Sequence, residues 1–392
     1  MIYIIVKTTY PEGFATVART YSYAKGFLEN GIESLILIPI PMEPYSCKPH
    51  VINKEGLYKG TRYRYMTKQS VRSKFFFRRA IEDYCGYFLT LLYVIFKMKK
   101  TDRIILYEGG YIWHRLVLLA AHIKGTKVVL ELNELPYGTT IQTKNLEKKR
   151  KKYERLVMPK FDGVLAISHT LKDYADSFLS SSQSLIVPII VSIAESKKLP
   201  IKHYQKYLFH SGTLLQQKDG ILDILKAFGE LLKDKSVDLH YVFTGNLENS
   251  IDKEAIKVII KEYRLENNVH FTGYLEKEEL TYLQEHAFAT IIYKNDNIQN
   301  KYCFSTKLGE YLMSGCPVII TNVGEAMFYL EDRRNALIVP YGNQKALLDA
   351  IKLLIRDCDL RTQISSNGKL LCNKEFSSIY RTKCIINYLQ EL

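Results

Sequence analysis

Short apolar runs rich in valine and isoleucine alternate with helical patterns along the first half of the chain. The predicted strands are 2–7, 33–39, 103–108, 127–132, 163–167 and 185–187. Several are apolar on both faces, as strands buried in a parallel sheet are. The predicted helices between them are 15–30, 72–100, 114–124 and 170–178. This alternation predicts right-handed βαβ units in an open parallel sheet.

The same alternation restarts near residue 207. Its predicted strands are 207–211, 239–244, 270–272, 289–293, 317–321 and 336–339. Its predicted helices are 221–233, 253–263, 277–284, 307–313 and 345–356. A polar segment, 192–203, is the predicted linker.

We therefore predict an α/β fold with two Rossmann-like, doubly wound domains, which are residues 1–195 and 203–375. A C-terminal helix, 376–392, is expected to return to the first domain. Ligands of such sheets bind beyond the carboxyl ends of the strands, so we expect the site in a cleft between the domains.

Length and composition agree with a globular protein of two domains. A chain of 392 residues exceeds one ordinary core. No apolar run reaches the roughly 18 residues that a membrane-spanning helix needs. The N-terminal residues read as a first strand rather than a signal peptide. Seven scattered cysteines without a CxxC pair argue against disulfides and zinc, so we expect a cytoplasmic protein.

Positive charge is concentrated in the first half. Residues 1–190 hold 29 of the 55 Lys and Arg residues but 16 of the 41 Asp and Glu residues, and the net charge of the chain is +14. A strongly basic half of a chain is typical of proteins that bind nucleic acid, an anionic membrane surface or a phosphate-bearing substrate.

Basic and aromatic residues interleave over 62–79, and a 13-residue apolar run, 84–96, follows. This run predicts either a core helix or a surface that rests on anionic lipid. No RRM, KH or helix-turn-helix pattern is present, so we expect no nucleic-acid partner but peripheral contact with the inner face of the cell membrane.

The segment 304–320 has the richest chemistry. Ser305 or Thr306 can cap a helix that begins at Lys307, whose free N–H groups and dipole attract an anion. A bound phosphate would also reverse the unfavourable effect of Lys307 in the first turn. Glu310, one turn later, could accept hydrogen bonds from sugar hydroxyls. The alternative is an ordinary capped helix with surface charges.

This segment resembles the carboxyl-terminal signature of the retaining glycosyltransferases of family 4, and further elements match in order. They are Ser211-Gly212 with Lys218-Asp219-Gly220, Phe243-Thr-Gly245, 269–274, Asn322–Glu325, Pro11-Glu-Gly-Phe14 with Arg19, and 162–168. The resemblance implies the GT-B fold and a divergent member similar to the bacterial enzymes that build surface or capsular polysaccharide. It covers nearly the whole chain, and the ordered matches make it more specific than any one motif.

The resemblance also implies roles for individual residues. Glu310 would bind the nucleotide ribose, and Lys218 would contact the donor diphosphate together with the amides of Ser305, Thr306 and Lys307. The resemblance places Gly273, Tyr274 and Leu275 beside the nucleotide base. It places Gly13, Gly212 and Thr213 beside the diphosphate. Lys218, Glu310, Asn133 and Glu134 are the implied catalytic residues.

The residues Glu131, Asn133 and Glu134 at a strand end suit either acceptor binding or helix capping in solvent. Three positions depart from the family pattern: Tyr302 replaces its first Glu, Thr213 an Arg and Asn133 a His.

The implied reaction transfers a sugar from a UDP- or GDP-linked donor to a hydroxyl of a glycan or lipid-linked acceptor. No DxD-like triplet is visible, so lysines and backbone amides would neutralise the leaving diphosphate, and we expect neither a metal nor a cofactor. Two alternatives stay open: a nucleotide-sugar epimerase of the same fold, and a non-catalytic nucleotide-sugar-binding module.

Overall fold

The computed structural model describes residues 1–13, 15–45, 54–67, 70–138, 143–179, 184–191 and 206–392. The predicted linker and Phe14 lie outside the described residues. The chain forms two compact units: the first comprises Met1–Ile190 and Ser377–Leu392, and the second comprises Val191–Phe376.

The first unit is built on a sheet whose strand order is β3-β4-β2-β1-β5-β6-β7-β8. Its strands are β1 (Ile2–Ile5), β2 (Ser34–Ile38), β3 (Glu55–Tyr58), β4 (Thr61–Tyr65), β5 (Arg103–Leu106), β6 (Lys127–Leu132), β7 (Gly163–Ala166) and β8 (Ser184–Ile186). Its helices are α1 (Ala15–Glu29), α2 (Phe76–Lys97), α3 (Gly110–Lys124), α4 (Lys144–Leu156), α5 (His169–Asp176) and the terminal α14 (Ser378–Glu391). The described strands pair in parallel except β3, which pairs antiparallel with β4.

The hairpin of β3 and β4 was absent from the sequence prediction. Tyr63 and Tyr65 of β4 point into the core, whereas Arg62 and Arg64 alternate outward. The basic and aromatic stretch 62–79 is therefore partly a sheet strand, and only its later part leads into α2.

The terminal helix α14 packs on α1. A Cβ atom at Gly26 would lie 2.5 Å from the Thr382 hydroxyl, so only glycine permits this approach. The Asn30 amide also donates to the Ile379 carbonyl oxygen at 3.0 Å. Ile385 and Leu389 join the core of the first unit, which makes the chain end part of that core.

The second unit has a parallel sheet with the order β11-β10-β9-β12-β13-β14. Its strands are β9 (Tyr207–Ser211), β10 (His240–Thr244), β11 (Val269–Phe271), β12 (Ala289–Ile292), β13 (Val318–Thr321) and β14 (Leu337–Val339). Its helices are α6 (Gln216–Asp219), α7 (Ile221–Leu231), α8 (Lys253–Glu262), α9 (Lys277–Glu285), α10 (Ile298–Tyr302), α11 (Thr306–Ser314), α12 (Gln344–Arg356) and α13 (Cys358–Glu375). Apolar side chains of β9, β10 and α7 form its buried core.

Candidate functional site

Three loops meet at the carboxyl edge of the second sheet. The loops that follow β9, β10 and β11 are joined by backbone contacts: Gly212 N–H donates to the Thr244 carbonyl oxygen, and Gly245 N–H donates to the Gly273 carbonyl oxygen at 3.0 Å. A Cβ atom at Gly245 would lie 2.1 Å from the Gly212 carbonyl oxygen. The predicted donor-site residues Gly212, Thr213 and Gly273 therefore belong to one continuous edge, where parallel sheets bind ligands.

A buried carboxylate, Asp219, organises the cations at this edge. Its Oδ1 atom accepts hydrogen bonds from the ammonium groups of Lys307 at 2.8 Å and Lys294 at 2.9 Å. Thr213 Oγ1 donates to its other oxygen at 3.3 Å. Burial opposes ionisation of this carboxyl, but Lys307 and Lys294 outweigh it and hold its pKa well below the ordinary value. One carboxylate thus faces two ammonium groups, and the cluster keeps a net positive charge.

The surroundings of Lys307 shift the pKa of its ammonium group. Burial lowers the pKa of its ammonium from 10.5 to about 8, Asp219 opposes that shift, and the positive charges of Lys294 and Lys218 add to it. The predicted phosphate ligand Lys218 is exposed on α6, and its carbonyl oxygen accepts a hydrogen bond from the Lys294 ammonium at 3.2 Å, so this residue adjoins the cluster. An anion bound beside Lys307 would raise this pKa again.

The N-terminus of α11 adds unsatisfied donors. Ser305 is the N-cap residue, and its side chain makes no capping hydrogen bond. Within the described part of the chain, no acceptor faces the amides of Ser305, Thr306 and Lys307. Helix starts with free N–H groups bind phosphate readily. Gly315, in the left-handed region at φ +76°, ends the helix.

Glu310 lies one turn after Lys307 on α11 and is half-buried. Burial raises the pKa of its carboxyl, and Lys277 of α9 opposes that shift. The loop after β11 presents Tyr274, which is exposed, and Leu275, which is half-buried. Their assignment to the ribose and the base stays a prediction.

The predicted site residues of the first unit, which are Gly13, Asn133 and Glu134, differ in their surroundings. Gly13 is exposed, but a Cβ atom there would lie 2.5 Å from Thr9 Oγ1, so a larger residue would require the neighbouring side chains to move. At the end of β6, Asn133 is half-buried and Glu134 is exposed.

Glu131 fits neither expected role, because it is fully buried in a structural ion pair. Its carboxylate accepts from Arg19 Nε at 2.6 Å and from the Tyr23 hydroxyl at 2.8 Å.

Sequence reasoning missed Lys294, His210 and the counter-ion role of Asp219. His210 is buried on β9, and its Nδ1 donates to the Ile291 carbonyl oxygen at 3.1 Å. Burial lowers the pKa of this imidazole to about 3, and Lys307 adds to the effect, so the ring is neutral at pH 7. Two features of the sequence could have indicated these residues. Lys294 follows β12 closely, and Asp219 directly precedes Gly220.

Comparisons with known proteins bear on the family of the second unit and on the fold of the chain. Residues 191–371 match the family model described as Glycosyl transferases group 1. That segment is nearly all of the second unit and slightly less than half of the chain. A comparison of the sequence with curated proteins finds no match.

Solved structures are similar over the entire chain. Sucrose-phosphate synthase from Thermosynechococcus elongatus covers 100% of this chain and 98% of its own, with a TM-score of 0.74 and 13% identity. A glycosyltransferase from Rickettsia africae has a TM-score of 0.71 and 16% identity, covering 100% and 97%. HepE from Anabaena in complex with UDP and glucose has a TM-score of 0.69 and 14% identity, covering 100% and 99%. The predicted fold class is confirmed: the chain has the GT-B fold, and its second unit carries a glycosyl transferases group 1 domain.

Proposed function

We propose that this protein is a retaining glycosyltransferase that moves a sugar from a nucleoside diphosphate sugar to an acceptor hydroxyl. The observation that carries the proposal is the cation cluster of Lys307, Lys294 and Asp219 beside the free N-terminus of α11. Cleavage of the donor leaves a diphosphate, and fixed cations and amides stabilise that charge where it develops.

Different loops of the second unit bind different parts of the donor. Lys307, Lys218 and the amides of Ser305 and Thr306 bind the two phosphates. Glu310 accepts hydrogen bonds from the ribose, and the loop of Gly273 borders the base. The donor is a UDP-sugar, a choice supported by the complexes of HepE with UDP and with UDP-glucose.

In the reaction the bond between the anomeric carbon and the diphosphate oxygen breaks, and a bond to the acceptor oxygen forms. The proton of the acceptor hydroxyl passes to the leaving diphosphate, which releases it to water as UDP departs. The acceptor is a glycan or a lipid-linked glycan of a bacterial surface polysaccharide, as the sequence resemblance implies, and Asn133 and Glu134 bind it.

The direct test is product analysis by mass spectrometry with UDP-sugars, with and without acceptor, in the presence of EDTA. We expect a glycosylated product and free UDP only when acceptor is present, and unchanged turnover in EDTA, because Lys307 and Lys294 supply the charge that a metal would supply. An epimerised donor formed without acceptor would contradict the proposal, as would activity that EDTA abolishes and Mn²⁺ restores. UDP binding without any turnover would favour a non-catalytic binding module.

Replacing Glu310 with alanine tests the ribose contact. Hydrogen bonds to a charged group contribute about 1.5–3 kcal/mol, so we expect the Kd for UDP to rise roughly 10- to 150-fold. Isothermal titration calorimetry measures it. Glu262→Ala, on the exposed end of α8, is the matched control and should keep the wild-type Kd. An unchanged Kd in Glu310→Ala would remove this residue from the site.

A further inference from the structure

Helix α2 exposes many of its large apolar residues to solvent. Within this fully described helix only Gly86, Thr90 and Val94 are buried, at a spacing of four residues. A Cβ atom at Gly86 would lie 2.0 Å from the Pro39 carbonyl oxygen, so this narrow line rests directly on the backbone of the unit. The flanks of the helix, which include Tyr87 and Tyr93, are half-buried, and its outer side is exposed.

The outer face of α2 carries an aromatic and aliphatic stripe. Phe77, Ile81, Tyr84 and Phe88 are between 60% and 81% exposed. Their spacing of four, three and four residues places them on one side of the helix. Scattered exposed apolar residues are normal on proteins, but a continuous exposed apolar stripe marks an interaction surface.

The neighbouring helix α3 repeats the same pattern. Ile112, Leu116, Leu119 and Ile123 are between 40% and 71% exposed, again at a spacing of four, three and four residues. The two helices lie side by side, with the rings of Tyr87 and Trp113 centred 4.5 Å apart. We call the two exposed stripes together the apolar face.

Positive charge borders the apolar face. Lys97, Lys99 and Lys100 are exposed at the end of α2. Helix α3 has no acidic residue, and α4 has seven basic and two acidic residues. Lys152 of α4 lies 4.5 Å from the centre of the Tyr111 ring of α3, which puts the basic helix next to the face. The acidic residues of α2 are paired: Glu82 with Arg78 and Asp83 with Arg72, each at 3.0 Å.

We propose that the apolar face docks on an anionic lipid bilayer, with its side chains among the acyl chains and the basic residues at the headgroups. Apolar side chains beside clustered Lys and Arg are the combination that interfacial helices use. No described helix is long and apolar enough to cross the membrane. The contact is therefore peripheral.

Charge and chemistry favour lipid over the other occupants. A second copy of the chain on a two-fold axis would bring the same basic border against itself, which like-charge repulsion disfavours. Nucleic acid would gain phosphate contacts and stacking on Phe77, Tyr84 and Phe88, but the aliphatic stripe of α3 offers no ring for its bases and would stay exposed to water. Of these three occupants, an anionic bilayer is the one that contacts both the apolar side chains and the basic border favourably.

The test is co-sedimentation of the full chain with vesicles of phosphatidylcholine alone or with roughly a quarter phosphatidylglycerol. We expect binding to the anionic vesicles only, weakened by salt near 0.5 M. The double variant Ile81→Glu with Phe88→Glu, and separately Leu119→Glu with Ile123→Glu, should lower the partition coefficient by about tenfold or more. The control pair is Ile251→Glu with Leu370→Glu, which are equally exposed in the second unit, and it should bind as the wild type.

Thermal unfolding and UDP titration of each variant show that the fold is kept, since all substituted positions are exposed. Equal binding to neutral and anionic vesicles, or none, would overturn the proposal. So would a wild-type dimer in analytical ultracentrifugation that the α2 variant dissociates, or binding of a single-stranded oligonucleotide that the same variant loses. The docking proposal does not depend on sugar transfer, because a protein that transfers no sugar could still bind these vesicles.

Discussion

Replacing Lys307 with methionine is expected to lower kcat/KM for sugar transfer by a factor of about 10²–10³. Removal of one preorganised charge or donor at a developing anion typically costs this much. The fold should survive, because Asp219 keeps its hydrogen bond to Lys294 at 2.9 Å. The matched control is Lys301→Met on α10, because the Lys301 side chain is 59% exposed and pairs with Asp296. An unchanged kcat/KM in Lys307→Met would place the diphosphate elsewhere.

The pH dependence of UDP binding follows from the same residue. Burial puts the pKa of Lys307 at about 8 in the free protein, so the ammonium is present below that pH and is lost as the pH rises through it. The affinity for UDP should therefore fall from pH 7 to pH 9. Lys307→Arg should hold its affinity over this range, because a guanidinium stays charged. Calorimetric titrations of both proteins measure the difference, and parallel profiles would contradict the assignment.

Replacing Arg19 with methionine is expected to destabilise the first unit by about 3–5 kcal/mol, since it leaves the buried Glu131 carboxylate without its cation. The substitution also removes the hydrogen bonds from Arg19 to the carbonyl oxygens of Pro188 at 2.6 Å and Val187 at 2.7 Å. For a unit of this size the loss corresponds to a Tm about 6–20 °C lower. Trp113 is the only tryptophan of the chain and is buried in the first unit, so its fluorescence follows the unfolding of that unit.

Three further measurements separate the effect of the lost charge of Arg19 from the effect of its lost packing. Burial raises the pKa of Glu131, and Arg19 opposes it. Without Arg19 the carboxyl holds its proton more tightly in the folded state, so the destabilisation should shrink as the pH falls. Changing Glu131 to leucine as well should recover part of the lost stability. Arg78→Met, which breaks the exposed pair with Glu82, should cost less than about 1 kcal/mol. A Tm unchanged in Arg19→Met would contradict the prediction.

The sequence predicted the fold because that fold depends on periodicity. Strands such as Ile2–Ile5 and Val318–Thr321 are buried on both faces, and a short run of valine and isoleucine between amphipathic helices is how a buried parallel strand appears in a sequence. The hairpin of β3 and β4 was missed because its polar, arginine-rich alternation belongs to the edge of the sheet, where one face is in solvent. A helix that begins at Lys307 with Ser305 or Thr306 as its cap was also predicted from local chemistry; in the structure the helix begins at Thr306, and the side chain of its N-cap residue Ser305 makes no capping hydrogen bond.

Partners that are distant in the sequence were decided by the tertiary structure alone. Asp219 meets Lys307 across 88 positions of the chain, and Arg19 meets Glu131 across 112. A hydrophobic pattern records which face of an element is buried, not which element covers it. No pattern could therefore show that Asp219 pairs with Lys307 and Lys294 or that Glu131 is structural. The apolar run 84–96 of α2 was compatible with a core helix or a surface, and only the packing of the helix shows that residues such as Tyr84 and Phe88 are exposed. The sequence by itself thus determined the elements and their class of fold, whereas the pairing of charges and the exposure of apolar faces depended on long-range packing.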